Sequence, residues 1–582
     1  MATSTSLPSP MSRLFSIYIV KGWWSYLLGI VFLGLTNYFS VTIPEQIGFA
    51  IDGFENGHSL PFIINIVWMG LLVVIVRTLS RILFFNPGRD VEYQLRQDLF
   101  SHLLSLPPSF YAKNNRGDII SRASNDITWL RALVGFGGLQ TINLTFAWGM
   151  TIWKMGAMSW FLTGWILTPI VLGTIFVQGS VRSWYPLMKK NQEELGKISE
   201  HVLESFQGVT TIQGFEAHEA FERAFEERNQ AWFQTAMSLQ IRQATIMPLV
   251  AMLGGLSVFF LLYFGGPLVQ NGELTVGSLV TFIALIASLL PYTRSMGWML
   301  SVWQRGRASC DRIFELFDAD DERVEGENGI VLSKGNIPTI ELKNLSFAYP
   351  DAPEVPVLKN ISCMIPRGAT VGIFGRTGAG KSTLLRVLAR MYNPQDGMIA
   401  IDETDICSLH LKSWRKKIAM VPQRPFLFSD KVRVNIALSE QADADKLNQV
   451  ISLASLTQDI PSLPDGLDTV VGERGIMLSG GQRQRVALAR GLYQGGDLIL
   501  LDDVLSAVDH ENEQRLVGAL ASLHENNQPT CLIVSNRISA FRHADFILVL
   551  EKGALVAKGT HQELIETSGL YQEAYFAQKE ED

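Results

Sequence analysis

The 582-residue sequence is poor in cysteine, with only Cys310, Cys363, Cys407 and Cys531. None of these stands in a CxxC or other metal-ligand spacing, so the chain offers neither a thiolate metal site nor a disulfide framework. A basic excess is also missing: 49 Lys and Arg face 56 Asp and Glu, for a net charge of −7. That balance argues against nucleic acid as the main partner. The most telling absence is of charge itself. Six windows hold no Asp, Glu, Lys or Arg: Gly22–Pro44, Leu60–Val76, Ala132–Trp153, Met155–Val181, Gln243–Gly272 and Leu274–Thr293. Each approaches or exceeds the ~20 residues that cross ~30 Å of hydrocarbon as a helix. The first does not read as a cleaved leader, because its uncharged run is too long and no Ala-x-Ala site follows.

These windows predict six membrane helices near 22–44, 60–85, 132–153, 155–181, 243–272 and 274–300. The segments after the first and fifth windows carry no Lys or Arg, whereas those after the second and fourth carry Arg89, Arg96, Arg116, Arg122, Lys189, Lys190, Lys197 and Arg223. The positive-inside rule then puts both termini in the cytoplasm, in a multi-pass protein of the inner or plasma membrane. The four cysteines fall on the same side and read as free thiols. Lys154 marks a very short outer turn. Leu95, Leu99, Leu103 and Leu104 continue a helical stripe beyond the second span until Pro107-Pro108 breaks it. A long mixed-charge stretch, Ser183–Arg242, follows the fourth span. Both excursions read as extensions of membrane helices projecting into water. Trp148, Trp160, Trp165, Phe259, Phe260 and Trp298 read as lipid-facing or packing residues. After Phe317 the run DADDERVEGENGIVLSKGN reads as a linker. The expected domains are therefore 1–317 in the membrane, 318–337 as linker and 338–582 as a second domain.

The second domain carries phosphate chemistry. Gly375-Arg376-Thr377-Gly378-Ala379-Gly380-Lys381-Ser382-Thr383 follows the strand-like ATVGIF and precedes the helix-like LLRVLARMY. GxxxxGK[ST] between a strand and a helix is a phosphate-binding loop. Its glycines let backbone N–H groups turn toward phosphate oxygens, and the next helix offers its positive end. Lys381 would reach the β- and γ-phosphates of ATP, and Ser382 would hold Mg²⁺. LILL, Leu498–Leu501, reads as a buried parallel strand ending at Asp502, a carboxylate suited to Mg²⁺.

Leu478-Ser479-Gly480-Gly481-Gln482, followed by RQRVALARGL, lies between those motifs. Together with GRTGAGKST, LILLDD and the six spans, it identifies the chain as resembling an ABC half-exporter over nearly its whole length. The resemblance implies an α-helical membrane domain with long cytoplasmic extensions, fused to an α/β P-loop ATP-binding cassette. It implies that Tyr349 in LSFAYP stacks on adenine. Gln423 in VPQRPFLF would contact Mg²⁺ and the attacking water. Glu473 would lie near an inter-domain contact, and Ser506 and Asp509 in SAVD would touch a facing subunit. Coupling helices are implied near Asn115–Asp126 and Val209–Glu216. In this family the signature of one cassette covers the ATP of the other, so Leu478–Gln482 would serve a partner chain's nucleotide.

Two positions depart from the family pattern. Asp503 stands where a glutamate is expected, and Asn536 in LIVSNRIS where a histidine is expected. Aspartate is shorter by one methylene, roughly 1.5 Å, and a general base must sit within ~2.6–3.2 Å of its proton or act through one water. Asn536 can still hydrogen-bond to a γ-phosphate but cannot become cationic. With binding motifs kept and two hydrolytic positions altered, the expectation is a weakly hydrolytic site in a heterodimer. The pattern is similar to bacterial heterodimeric multidrug (MdlA-like) half-exporters, whose implied partner is a second half-transporter chain with its glutamate and histidine intact. The implied cargo is a lipophilic or amphipathic compound moved out of the cytoplasm. Two alternatives stand beside this: a homodimeric lipid or drug flippase with slow Asp503 chemistry, and a regulatory ATP-binding subunit that does not transport.

Overall fold

The computed structural model describes residues 8–54, 57–244, 246–319, 329–332, 338–472, 476–504 and 529–581. Two compact units emerge. One joins Met1–Leu104 to Gly117–Asp318, and the other joins Ser105–Arg116 to Ala319–Asp582. The short stretch Ser105–Arg116, expected within the first domain, thus groups with the second unit. It begins at the Pro107-Pro108 break and contains a short helix, Pro108–Lys113.

The first unit is helical. Its long helices are α1 (Trp23–Phe54), α2 (Leu60–Ser105), α3 (Gly138–Met158), α4 (Trp160–Gln207), α5 (His218–Ala244), α6 (Ile246–Gln270) and α7 (Val276–Phe317). Four helical stretches among the described residues are long and apolar enough to cross a membrane: Pro10–Phe54, Leu60–Ser105, Met252–Gln270 and Val276–Phe317. A shorter apolar stretch covers Trp160–Gly173. With 46 residues, α2 is about 70 Å long, more than twice the ~30 Å of a bilayer core. Its charged C-terminal half therefore extends beyond any membrane its apolar half can cross. A separate helix, Val209–Gly214, turns the chain between α4 and α5.

The distribution of polarity in this unit is reversed relative to a protein built for water. Leu71, Val74, Ile75, Trp160, Phe259 and Trp298 are exposed, while Thr36, Asn37, Ser80, Thr151, Thr163, Ser257 and Thr281 are buried. Such an exterior suits lipid or another apolar surface, and the buried hydroxyls and amides are free to hydrogen-bond between and within helices. Ser257 donates to the Ile166 carbonyl at 2.9 Å, tying α6 to α4. Asn37 on α1 donates to Asn143 on α3 at 2.9 Å. Helices α1 and α7 approach so closely that a Cβ on Gly277 would lie 2.2 Å from the Gly48 carbonyl. Small residues at a crossing are what membrane packing demands. The same crossing is fixed by Gly277 N–H donating to Asp52 at 2.8 Å and Thr281 donating to the Pro44 carbonyl at 3.2 Å.

One expected boundary moves. The chain breaks at Ser159, whose extended backbone caps α4 through Leu162 N–H. Lys154 lies inside α3 and pairs with Glu45 of α1 at 2.6 Å. The lone charge marks an ion pair between helices, and the small polar cap sets the turn.

The second unit contains β1 (Ile340–Phe347), β2 (Leu358–Ile365), β3 (Thr370–Phe374), β4 (Ile399–Ile401), β5 (Thr404–Asp405), β6 (Ile418–Val421), β7 (Asp430–Lys431), β8 (Val470–Val471), β9 (Leu498–Asp502), β10 (Thr530–Val534), β11 (Phe546–Glu551) and β12 (Ala554–Gly559). An antiparallel sheet runs β2-β1-β4-β5, and the main sheet runs β12-β11-β3-β10-β9-β6. In the main sheet β11, β3, β10, β9 and β6 are parallel, with β12 antiparallel at the edge. Every residue of β9 and β10 is buried, as expected for central parallel strands covered on both faces. Ile499 and Leu501 pack into the core on one face, and Leu498 and Leu500 into the core on the other. This period-two division gives the uniform LILL run two separate jobs. Helices α8 (Lys381–Leu388), α9 (Gly480–Gln494) and α10 (Gly569–Glu581) complete the elements that matter for the site.

Candidate functional site

The topology alone assembles a cleft. In the order β3-β10-β9-β6, four adjacent parallel strands end on Phe374, Val534, Asp502 and Val421. The residues just beyond those ends, or at them, are Gly375, Asn536, Asp502 with Asp503, and Gln423. Ligands in open α/β sheets bind at this carboxyl edge. A cleft of about 210 Å³ lies there, lined by Val357, Thr377, Gly378, Ala379, Gly380, Lys381, Ser382, Thr383, Gln423, Asp502, Asp503, Val534 and Asn536.

The loop that leaves β3 demands glycine at specific points. A Cβ on Gly375 would meet the Leu550 carbonyl at 2.3 Å. Gly380 has φ of 94° and stands at the start of α8, a left-handed conformation that L side chains resist. Lys381, the first residue of α8, is buried and folds back over the loop. Its ammonium donates to the Gly375 carbonyl at 2.5 Å, the Arg376 carbonyl at 3.2 Å and Asn536 Oδ1 at 3.0 Å. Burial lowers its pKa, against the opposing pull of Asp503 and Asp502.

Ser382 donates its hydroxyl to Asp502 Oδ1 at 2.7 Å. Burial pushes the Asp502 carboxyl above the usual carboxylate range, despite this hydrogen bond. A hydroxyl and a desolvated carboxylate in contact form a hard-oxygen pair that a small divalent cation satisfies. The donor set therefore fits Mg²⁺ with a phosphate ligand. Asp503 is 7% exposed. Gln423 Nε2 donates to its Oδ2 at 3.0 Å, and its own N–H donates to the Val534 carbonyl at 2.9 Å. Its φ of 51° lies in the region that aspartate tolerates better than most residues. The structure thus brings together Lys381, Ser382, Gln423, Asp502, Asp503 and Asn536, which the sequence scatters over more than 150 positions.

Tyr349 stands apart from the cleft lining. Its hydroxyl lies 3.0 Å from Thr383 Oγ1, and its ring packs edge-on against Tyr392. Arg376 turns its side chain toward Glu573 of α10, at 3.3 Å. Leu478–Gln482 form the start of α9 rather than a wall of the cleft. Leu478 is buried as an anchor, while Ser479 and Gly480 are exposed. Ser479 Oγ accepts from Gln482 N–H at 3.2 Å, and Gln482 Oε1 accepts from Ser479 N–H at 2.9 Å. This reciprocal cap fixes the helix entry, and Arg485 braces it through two bonds to Asp459 at 2.7 and 2.9 Å. The first N–H groups of a helix have no intrahelical partner. Gln482 N–H is taken by the Ser479 cap, and the space around Gly480 is open, so the N–H groups at the very start of α9 are accessible to an anion. Glu473, Ser506 and Asp509 lie outside the described residues.

Sequence reasoning did not find the contacts of α10. Gln578 bonds on both sides of Asn536, donating to the Asn536 carbonyl at 2.8 Å and accepting from Ile538 N–H at 2.8 Å. No local motif signals a glutamine in a C-terminal amphipathic helix as a partner of that loop.

Comparison with known proteins covers both units. The family described as ABC transporter transmembrane region matches residues 14–291, and the family described as ABC transporter matches residues 358–506. The probable multidrug resistance ABC transporter ATP-binding/permease protein YheI of Bacillus subtilis is 33% identical over 565 residues, covering 96% of each chain. The multidrug resistance-like ATP-binding protein MdlA of Escherichia coli is 30% identical, covering 96% of this chain and 95% of its own. The ATP-dependent lipid A-core flippase of Escherichia coli is also 30% identical, over 87% and 88%. A bacterial Atm1-family ABC exporter solved with ATP bound aligns at a TM-score of 0.79, covering 97% of this chain and 99% of that one. At 24% identity that last likeness bears on the fold.

Proposed function

Because the chain belongs to the ABC transporters that fuse a transmembrane region to an ATP-binding domain, and is an ATP-driven translocase of the membrane, we propose that it is the weakly hydrolytic half of a heterodimeric exporter. Its cargo is a lipophilic or amphipathic compound leaving the cytoplasm. The supporting observation is the carboxylate of Asp503, held in the cleft by Gln423 and one methylene shorter than the acid the family uses. The proposed layout has six spans in residues 1–317, a linker at 318–337 and the cassette at 338–582, with both termini and the cassette cytoplasmic.

In this reading the backbone N–H groups of Thr377–Thr383 bind the phosphates of ATP, and Lys381 leaves its carbonyl partners to neutralise them. Ser382, Asp502 and Gln423 would hold Mg²⁺, which supplies charge neutralisation at the phosphates. Asp503 reaches poorly toward an attacking water, so it orients water without efficiently taking its proton. Asn536 donates to the γ-phosphate as a neutral group. Tyr349 stacks on adenine after its hydroxyl releases Thr383. Ser479–Gln482 close over the nucleotide of the facing chain, whose own glutamate and histidine carry out the productive cleavage, while Ser506 and Asp509 contact that chain. One nucleotide holds the pair together and the other drives the cycle.

The test is ATPase activity of the purified chain alone and with its co-purifying partner. Little turnover alone, restored by the partner, is expected. Full steady turnover by the single chain refutes the heterodimer. A lipid-like cargo in a homodimer is the second reading, supported by the 30% identity to a lipid A-core flippase. ATP-dependent uptake into inside-out vesicles separates both from a regulatory subunit that moves nothing.

A further inference from the structure

We infer that Gln578, on the last helix of the cassette, is a positioning residue that aims Asn536 at the terminal phosphate of bound ATP. Three observations meet at this point. Asn536 follows β10 with an exposed side chain, yet its Oδ1 accepts from the ammonium of Lys381 at 3.0 Å. Gln578 clamps the loop from the opposite side, with its amide nitrogen on the Asn536 carbonyl and its amide oxygen on Ile538 N–H, both at 2.8 Å. The same helix reaches the phosphate loop through Glu573 and Arg376 at 3.3 Å.

A primary amide suits this clamp because it donates and accepts along parallel directions, matching a carbonyl and an N–H two residues apart. With both ends held, the backbone of residues 536–538 has little freedom to rotate. The Asn536 side chain then keeps its bearing toward Lys381 and the space beside it. A neutral asparagine contributes less to phosphate binding than a cation, so its orientation matters more. Loss of two neutral hydrogen bonds would weaken the arrangement on the order of 5- to 100-fold. The pairing of Glu573 with Arg376 makes α10 a brace common to two loops of the cleft, although that pair is exposed and contributes little by itself.

This inference rests on the reading of Asn536 as a γ-phosphate contact, and the experiment separates the two. The full-length chain, with its co-purifying partner, is placed in lipid nanodiscs. Release of mant-labelled AMP-PNP, which keeps a third phosphate, and of mant-ADP is followed after a chase with unlabelled nucleotide. Gln578→Met, which keeps the length and removes both polar atoms, should speed AMP-PNP release from this chain's site 5- to 100-fold and leave ADP release unchanged. Gln578→Glu keeps the acceptor for Ile538 N–H and loses the donor, and should fall between. In an Asn536→Ala background, Gln578→Met should add nothing.

Equal effects on both nucleotides, or an additive effect with Asn536→Ala, would show a merely structural helix contact and overturn the inference. A normal Asn536→Ala effect with unaltered release from Gln578→Met also overturns it, while leaving the reading of Asn536 intact. Unchanged AMP-PNP release from Asn536→Ala alone overturns that reading and the inference with it.

Discussion

If this chain forms the weakly hydrolytic half of the proposed pair, lengthening one side chain, in Asp503→Glu, should convert its site into a cleaving one. The added methylene extends the carboxylate by roughly 1.5 Å, about the shortfall between a bystander and a base in contact with its water. A positioned base is worth roughly 10²–10⁴-fold in rate, or about 2.7–5.4 kcal/mol of barrier. Two terms oppose it. Residue 503 has φ of 51°, where a glutamate is less at ease than an aspartate, and left-handed backbone costs about 1–2 kcal/mol for ordinary L residues. The bond from Gln423 must also be remade. Both costs act on folding and so appear in the Tm of the complex, whereas the gain appears only in the chemical step. In the proposed heterodimer the facing site would dominate total turnover and hide the effect. The assay therefore follows nucleotide on this chain alone: photolabelling with azido-ATP labelled in the α-phosphate, then separation of ATP from ADP on the isolated subunit. The wild-type chain should retain ATP, and the variant should retain mainly ADP, formed at least 100-fold faster. An unchanged ratio at normal nucleotide occupancy would falsify the idea that reach limits this site.

Ser479→Ala removes one half of the cap on α9 and should cost about 0.5–2 kcal/mol of cassette stability. It should also cut turnover of the assembled pair by tenfold or more without weakening ATP binding at this chain's own loop. Normal turnover would mean that the signature faces no nucleotide. Gly277→Val places carbon against the Gly48 carbonyl, and overpacking of this kind costs about 1–3 kcal/mol or more. It should reduce the yield of folded, detergent-stable protein, and a normal yield would mean that α1 and α7 do not pack closely. His561 lies 2.8 Å from Tyr571 Oη, and burial, aided by Arg542, lowers its pKa. The unfolded chain then binds the proton more readily, so stability is held above the ordinary histidine pKa of ~6.5 and declines as pH falls through it. Thermal melts between pH 7.5 and 5 should show this loss, and His561→Gln should flatten it.

What the sequence made legible follows from distance along the chain. The strand–loop–helix that carries the expected phosphate loop could be read because its residues are contiguous: Gly375, Gly380, Lys381 and Ser382 lie within one turn between β3 and α8. The strand LILL and its terminal Asp502 were legible for the same reason. The signature was legible as a motif, but its reciprocal cap and its brace on Asp459 were not, since Asp459 belongs to a different segment. Tyr349 shows the limit of a local motif. The motif located it, but its hydroxyl partner on Thr383 depends on how two loops meet. The turn was expected at Lys154 because charge is a good marker of membrane edges, yet the lysine found a carboxylate on another helix and the break fell at Ser159. Ser105–Arg116 could not be assigned to the nucleotide-binding unit from hydropathy, which reports on solvent and not on neighbours.

The helix α2 runs unbroken through Pro87, where the ring removes one backbone bond and weakens the rod at a single point. Beyond Pro87 the helix is a bar that reaches Ser105, about 27 Å long, and a bend of about 11° at the proline carries its tip through roughly 5 Å, close to the pitch of one helical turn. Small angular play at one joint is thus enough to shift a distant element by a full register, with no bond within the bar having to break.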